Sequence, residues 1–278
     1  MRQYIRLRGE RVDISKKTWI MGILNVTPDS FSDGGKYDSI DRAIMQAKDM
    51  IASGVDIIDI GGESTRPGYT PVSTEEEIAR VVPVVQAIRQ ISDVYLSIDT
   101  FKSETAKAAL AAGADMINDI WGLKYDAKIA EVCKQYDCPL IIMHNRTNPE
   151  YKELIDDVKR DLIESINIAK AHGLSDEHII VDPGIGFQKT KSENLHVLKG
   201  MAFLKDLGYP ILLGTSRKSV IHYATNRPVN ERDEATAATT AYGIMHGADF
   251  VRVHNVDMTK RIIEMMDVLV GKGEVVNG

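Results

Sequence analysis

The sequence predicts an α/β fold, a single (β/α)8 TIM barrel spanning residues 1–278 with its active site at the C-terminal ends of the strands. Two observations carry that reading. Short apolar runs alternate eight times with segments of helical period, and most runs are apolar on both faces, as parallel strands covered on both sides must be. Three junctions also share one pattern: Gly54-Val-Asp-Ile, Gly113-Ala-Asp-Met and Gly247-Ala-Asp-Phe. In each, a glycine follows a helical segment, where its tolerance of the left-handed conformation ends the helix, and a strand follows the aspartate. No linker or low-complexity stretch divides the chain. A doubly wound open sheet is the alternative arrangement of the same alternation.

The expected strands cover 18–24, 56–61, 94–99, 115–120, 139–144, 178–183, 210–215 and 249–254. The expected helices cover 39–53, 74–91, 103–112, 151–172, 194–207, 232–246 and 258–270, with the weakest helical signal over 126–136.

Hydrophobic residues make up 44% of the chain, enough for a sizeable core. The net charge of −6 disfavours general nucleic-acid binding, which needs basic patches to neutralise phosphates, but leaves room for a local anion pocket. The two cysteines, Cys133 and Cys138, have no second pair at zinc spacing and read as reduced thiols of a cytoplasmic protein. The N-terminus is too polar for a signal peptide, and no apolar run approaches the roughly 20 residues that span a membrane.

In a barrel of this class the chemistry is at the strand ends, and here those ends are polar. The first strand breaks at Asn25 into a loop, residues 26–35, with Phe31 as its single aromatic. Asp99, Asn118 and Asp182 each lie within an otherwise apolar run and point to the barrel mouth. Buried carboxylates need donors. A flat, guanidine-like heterocycle edge with adjacent N–H groups would supply them, and an internal ion pair or a helix cap at Asp99 is the plainer reading. A cationic set accompanies these acceptors: Arg66, Arg217, Lys218, Arg252 and His254. Arg252 and His254 are two apart on a strand and share a face, which with Asn25 and Thr65-Arg66 makes a phosphate pocket. Arg217 fits a solvated surface charge equally well. Gly184 and Gly186 read as a turn that lets backbone approach a ligand ring. His144 fits a general base or a hydrogen-bonded structural histidine.

Together the motifs MGILNVTPDSFSDGG (21–35), DIGGESTRPG (59–68), SIDT (97–100), INDI (117–120), DPGIGF (182–187), GTSRKS (214–219) and RVHN (252–255) resemble those of bacterial dihydropteroate synthases, the folate-pathway enzymes that sulfonamides target. The resemblance runs from Gly22 to Asn255. It implies a transferase, usually a homodimer, that joins 6-hydroxymethyl-7,8-dihydropterin pyrophosphate to 4-aminobenzoate with the help of magnesium. By resemblance, Asp99, Asn118, Met143, Asp182, Phe187, Lys218 and Arg252 hold the pterin. Asn25, Thr65, Arg66, Arg252 and His254 meet the pyrophosphate, with Asn25 also at the metal. Phe31, Pro67, Phe187, Lys218 and Ser219 surround 4-aminobenzoate. Asp33, Thr65, Arg66, Asp99, Lys218 and Arg252 form the catalytic group, with Asp33 and Arg66 on mobile loops. Two other readings share the pterin grip: a methyltetrahydrofolate:corrinoid methyltransferase and a catalytically silent pterin-binding paralogue.

Overall fold

The computed structural model describes residues 3–27, 36–64 and 71–273, with only the backbone for 36–39. The chain opens with a hairpin that the polar N-terminus did not suggest. Strand β1 (Tyr4–Leu7) pairs antiparallel with β2 (Glu10–Asp13). Its two turn residues, Arg8 and Gly9, have φ of 53° and 73°, the positive pair that suits a two-residue hairpin turn.

Eight parallel strands follow: β3 (Trp19–Asn25), β4 (Ile57–Gly61), β5 (Tyr95–Asp99), β6 (Met116–Asp119), β7 (Leu140–Met143), β8 (Ile179–Asp182), β9 (Leu212–Leu213) and β10 (Phe250–Val253). Their hydrogen-bonded order is β8-β7-β6-β5-β4-β3-β10-β9. A parallel bridge between Val181 and Ile211, with the Val181 N–H donating to the Pro210 carbonyl at 2.9 Å, closes the ring. This is the predicted barrel, and the open sheet is excluded.

Helices α1 (Lys36–Ala52), α2 (Thr74–Arg89), α3 (Ser103–Ala111), α4 (Lys128–Gln135), α5 (Leu154–Ala171), α6 (Lys191–Lys199), α7 (Ser219–Thr225), α8 (Asp233–Met245) and α9 (Val256–Leu269) connect or flank the strands. The single helix expected over 194–207 is two elements. A capping box of Thr190 and Glu193 starts α6 early, α6 stops at Gly200, and 3-10 turns continue over Met201–Leu207 to Gly208 at φ 75°. The short helix α7 was not expected. None of the described helices is long and apolar enough to cross a membrane.

The repeated Gly-x-Asp junction has a physical role at the bottom of the barrel. Gly54, Gly113 and Gly247 have φ of 82°, 113° and 102°, so each does end its helix in the left-handed region. The aspartate two residues on then reaches across to the neighbouring strand. Asp56 accepts the Ile20 N–H (2.8 Å), Asp115 the Leu96 N–H (2.8 Å) and Asp249 the Ile211 N–H (3.1 Å). Each carboxylate thus satisfies a backbone donor near the start of the adjacent strand. Cations answer the buried charges: Lys17 at Asp56, Arg8 and Arg89 at Asp115, Lys272 at Asp249.

Side chains alternate along each strand, so one parity faces the barrel axis. The lower inward layer is apolar, with Met21, Ile57, Met116, Ile141, Ile180, Leu212 and Phe250 in one buried cluster. Ile5, Leu7 and Ile14 from the hairpin segment plug it from below. Three arginines fasten that plug: Arg6 to Asp137 (2.7 Å), Arg8 to Asp115 (2.7 Å) and Arg11 to Glu177 (2.7 Å). A second, larger core lies between the strands and the helices. Because Asp115 joins a buried backbone donor to two arginines, Asp115→Ala should lower stability by about 3 kcal/mol, read from urea unfolding. A loss within about 0.5 kcal/mol would mean the junction carboxylate is dispensable.

Candidate active site

One layer above the apolar plug, the inward positions turn polar. Moving two residues along each strand leads from Ile57 to Asp59, Met116 to Asn118, Ile180 to Asp182, Leu212 to Gly214 and Phe250 to Arg252. The three predicted acceptors Asp99, Asn118 and Asp182 are all buried at this upper end. The barrel brings them together with Lys218 and Arg252. A Cβ at Gly214 would lie 3.7 Å from Lys218 Nζ, 3.8 Å from Arg252 Cβ and 3.9 Å from Asp182 Oδ2, so the missing side chain leaves the three groups converging on open space. Likewise, a Cβ at Gly61 would lie 3.3 Å from Asn25 Oδ1 and 3.7 Å from Asp99 Cβ.

The residue that organises this layer escaped the sequence reading. Asp59 is fully buried, and its Oδ2 accepts from Arg252 Nε at 2.6 Å and from Asn118 Nδ2 at 3.0 Å. Arg252 also donates to Asp99 Oδ2 at 2.7 Å. One guanidinium therefore bridges two strands' carboxylates. The signal was present: Asp59 interrupts the apolar run Ile57–Gly61 at inward parity. At Asp99 the ion-pair reading holds, and the helix-cap reading does not, since α3 is preceded by Lys102 at the cap position.

The acceptors are only partly used. Among the described residues, Asp59 Oδ1, Asp99 Oδ1 and the Ser97 hydroxyl are buried without a hydrogen-bond partner. Ser97 is the register partner of Asp59 across β4 and β5. Such unpaired oxygens are costly unless a ligand or water donates to them. Burial pushes Asp99 up to about 7 against the opposing pull of Arg252, and raises Asp182 against Lys218. Burial also lowers Lys218 to about 8, although Asp182 favours its charge. Arg252 moves the other way, because the attraction of Asp59 and Asp99 outweighs its burial.

The wall beside these groups is aromatic and apolar. Met143 packs with Phe101 and Ile120 in a small cluster that Trp121 and Phe187 join. Phe187 belongs to the turn after β8, where Gly184 and Gly186 have φ of 65° and 91°. A Cβ at Gly184 would lie 2.0 Å from the His144 carbonyl, so only glycine fits. Lys218 donates to the Ile185 carbonyl at 2.6 Å, and its ammonium stands 4.9 Å from the Phe187 ring centre. Ser219 follows it, exposed, at the start of α7.

At the end of β10, His254 is held through Ser216: its N–H donates to the Ser216 hydroxyl (3.1 Å), which also lies 2.9 Å from His254 Nδ1. Two residues whose sequence reading was left open fall away from the mouth. Arg217 is turned by its φ of 56° onto Asp233, which accepts from Nε and Nη2 at 2.6 and 2.8 Å; it is a structural ion pair, not a mouth cation. His144 has the outward parity of β7 and meets Asp161 of α5 through Nε2 at 2.9 Å. Burial lowers it to about 4, so at neutral pH it is an uncharged structural histidine. Phe31, Asp33, Thr65, Arg66 and Pro67 lie outside the described residues. Both stems of the 65–70 segment are held by Lys102, which donates to Glu63 (2.6 Å) and to the Val72 carbonyl (2.8 Å) and pairs with Glu77 (3.1 Å).

The comparisons with known proteins point the same way. Residues 21–254 match the profile of the pterin binding enzyme family. A dihydropteroate synthase of Clostridium beijerinckii is 55% identical over 267 residues, 96% of this chain and 99% of that protein. The crystal structure of dihydropteroate synthase from Clostridium difficile, determined in the presence of pteroic acid, superposes with a TM-score of 0.90 at 48% identity, covering 93% of this chain and 98% of that one. That of Xanthomonas albilineans with 4-aminobenzoic acid gives 0.91 at 35% identity, covering 97% and 99%. Matched in sequence and in fold over nearly its whole length, the chain belongs to the dihydropteroate synthase family of pterin-binding enzymes, which are transferases.

Proposed function

We propose that the protein joins 6-hydroxymethyl-7,8-dihydropterin pyrophosphate to 4-aminobenzoate, forming 7,8-dihydropteroate and releasing pyrophosphate, as a step of folate biosynthesis. The observation that carries this reading is the set of buried acceptors around Arg252, namely Asp59, Asp99, Asn118 and Asp182, of which Asp59 and Asp99 each keep a buried oxygen with no donor among the described residues. A pterin edge presents several N–H donors in one plane, and these acceptors approach from neighbouring strands. Asp99, Asn118 and Asp182 grip the pterin, with Met143, Phe187 and the stem of Arg252 as its walls and Lys218 at its rim. Related structures holding pteroic acid and 4-aminobenzoic acid support both halves of the product.

The path is dissociative. The bond between the pterin methylene carbon and the pyrophosphate oxygen breaks, and the oxygen keeps the electron pair. Arg252 and His254 meet the leaving charge, with Thr65 and Arg66 as further anion contacts. The methylene cation delocalises into the electron-rich dihydropterin beside the carboxylates of Asp99 and Asp182. The neutral aryl amine then attacks with its lone pair and afterwards sheds its proton, so no strong base is needed. Phe187, Lys218 and Ser219 border the amine, with Phe31 and Pro67 completing that pocket and Asp33 approaching the reacting carbon.

Magnesium fits this chemistry with few protein ligands. Asn25 would hold the ion through its amide oxygen, which lies at the mouth beside Gly61. When bound, it neutralises charge on the pyrophosphate. Met245, Met265 and Leu269, exposed on α8 and α9, suit a contact between two copies in a homodimer. The free cysteines Cys133 and Cys138 suit the cytoplasm.

Mixing the two substrates should release pyrophosphate. No release would favour the methyltransferase or the silent binder. Asp182→Asn turns a double acceptor into a donor–acceptor pair and should raise the KM for the pterin substrate about 100-fold, a loss of about 3 kcal/mol. An unchanged KM would remove Asp182 from the grip. The raised Asp99 also leaves a mark on stability. An unfolded aspartate titrates near ~4, so as pH rises the unfolded chain releases this proton before the folded one does. The contribution of Asp99 to stability is full below pH ~4 and is lost as pH rises through about 7. Asp99→Asn should therefore shrink the drop in urea midpoint between pH 5 and pH 8 while abolishing turnover. An equal drop in variant and wild type would contradict a buried charge at Asp99.

A further inference from the structure

The turn after β8 is clasped by two ammonium groups. Lys218 takes the Ile185 carbonyl. Lys189, itself half-buried, donates to the Gly184 carbonyl at 2.9 Å and to the Phe187 carbonyl at 3.0 Å. Between Phe187 and Lys189 stands Gln188, a non-glycine residue at φ 43°. That conformation is uncommon for a residue with a Cβ, and it persists only where its surroundings hold it. Three bonds do so: Lys189 to the Phe187 carbonyl, the Tyr151 hydroxyl to the Gln188 carbonyl (3.0 Å), and the Gly186 N–H to the Asn194 amide oxygen (2.6 Å).

We propose that Lys189 is the positioning residue for the aryl-amine side of the site: its ammonium locks the Gly184–Gln188 turn and thereby sets the Phe187 ring under Lys218. This rests on the reading of Phe187 and Lys218 as the 4-aminobenzoate wall. Lys189 bonds backbone carbonyls behind the turn, so it acts on the aryl amine through Phe187. Without it, the peptide between Phe187 and Gln188 loses its acceptor's partner, and the strain at Gln188 favours rotation of that peptide. The ring then leaves its place 4.9 Å from the Lys218 ammonium. The hydrogen-bonding grip on the pterin rests on Asp99, Asn118 and Asp182, with Phe187 only one of its apolar walls, so the pterin side loses less than the aryl-amine side when this peptide turns.

The test compares wild type with Lys189→Met, which keeps the stem and removes the charge. Its KM for 4-aminobenzoate should rise about tenfold, while the KM for the pterin pyrophosphate stays within about twofold and kcat within about threefold. Lys189→Gln, which retains a donor, should fall between the two. Equal rises in both KM values, or none, would overturn the proposal. Amide hydrogen exchange of 184–190 in the substrate-free protein gives a second, reaction-independent readout. Faster exchange at Gly186 and Phe187 in Lys189→Met is expected, and unchanged exchange would overturn the positioning role. If wild type releases no pyrophosphate, the proposed reaction fails, and the exchange result still decides whether Lys189 holds the turn.

Discussion

Arg252 stands inside a barrel, bonded to Asp59 on one side and to Asp99 on the other, and the arrangement of the mouth follows from that contact. A guanidinium removed from water is stable there only with carboxylates at hydrogen-bonding distance. The carboxylates in turn come from the neighbouring strands β4 and β5. Asp59 spends its second contact on Asn118, which fixes the amide's orientation: with Nδ2 donating, its oxygen is left for another donor. Thus one cation sets the direction of three acceptors. The oxygens left over, Asp59 Oδ1 and Asp99 Oδ1, have no donor among the described residues. A site built this way is stable enough to fold and still incomplete without a ligand that brings N–H groups.

The barrel divides labour along its axis. Below, apolar side chains and a hairpin plug fill the interior, and aspartates with cations knit the strand starts. Above, the same inward parity carries charge. The ionisation shifts follow that division: Asp99, Asp182 and Lys218, all near the mouth, are each displaced toward neutrality by burial. Such displacement is a cost in the free protein and an advantage in a site that must recognise a nearly neutral ring and then shelter a cation.

Much of this was legible in the sequence, for identifiable reasons. Strand runs such as HIIVDP and DFVRVH are continuous and apolar, so period and length sufficed to place β8 and β10. The Gly-x-Asp junctions marked helix ends through a backbone requirement that sequence displays directly. Asp99, Asn118 and Asp182 stood out because each interrupts an otherwise apolar run near the end of its strand. Asp59 did not, because it lies in the middle of a strand, where a carboxylate is conspicuous only once inward parity is counted. Lys189 was invisible for a different reason: its partners are carbonyl oxygens, which every residue carries. Arg217 stayed open because a guanidinium four residues past the end of β9 can turn either way, and a positive φ turned it toward Asp233. The break within 194–207 was hidden by an apolar pattern that continues through Gly200 into 3-10 turns.

The plug beneath the barrel has a consequence in time. Its three arginines belong to the first eleven residues, and their partners Asp115, Asp137 and Glu177 lie in connections far along the chain. The plug therefore has its full set of partners only once the chain has reached Glu177, with more than half the strands of the ring formed. It comes early in the chain and is locked late. Its polar character, which hides a hairpin from a reader of the sequence, also keeps it harmless in solution during that wait.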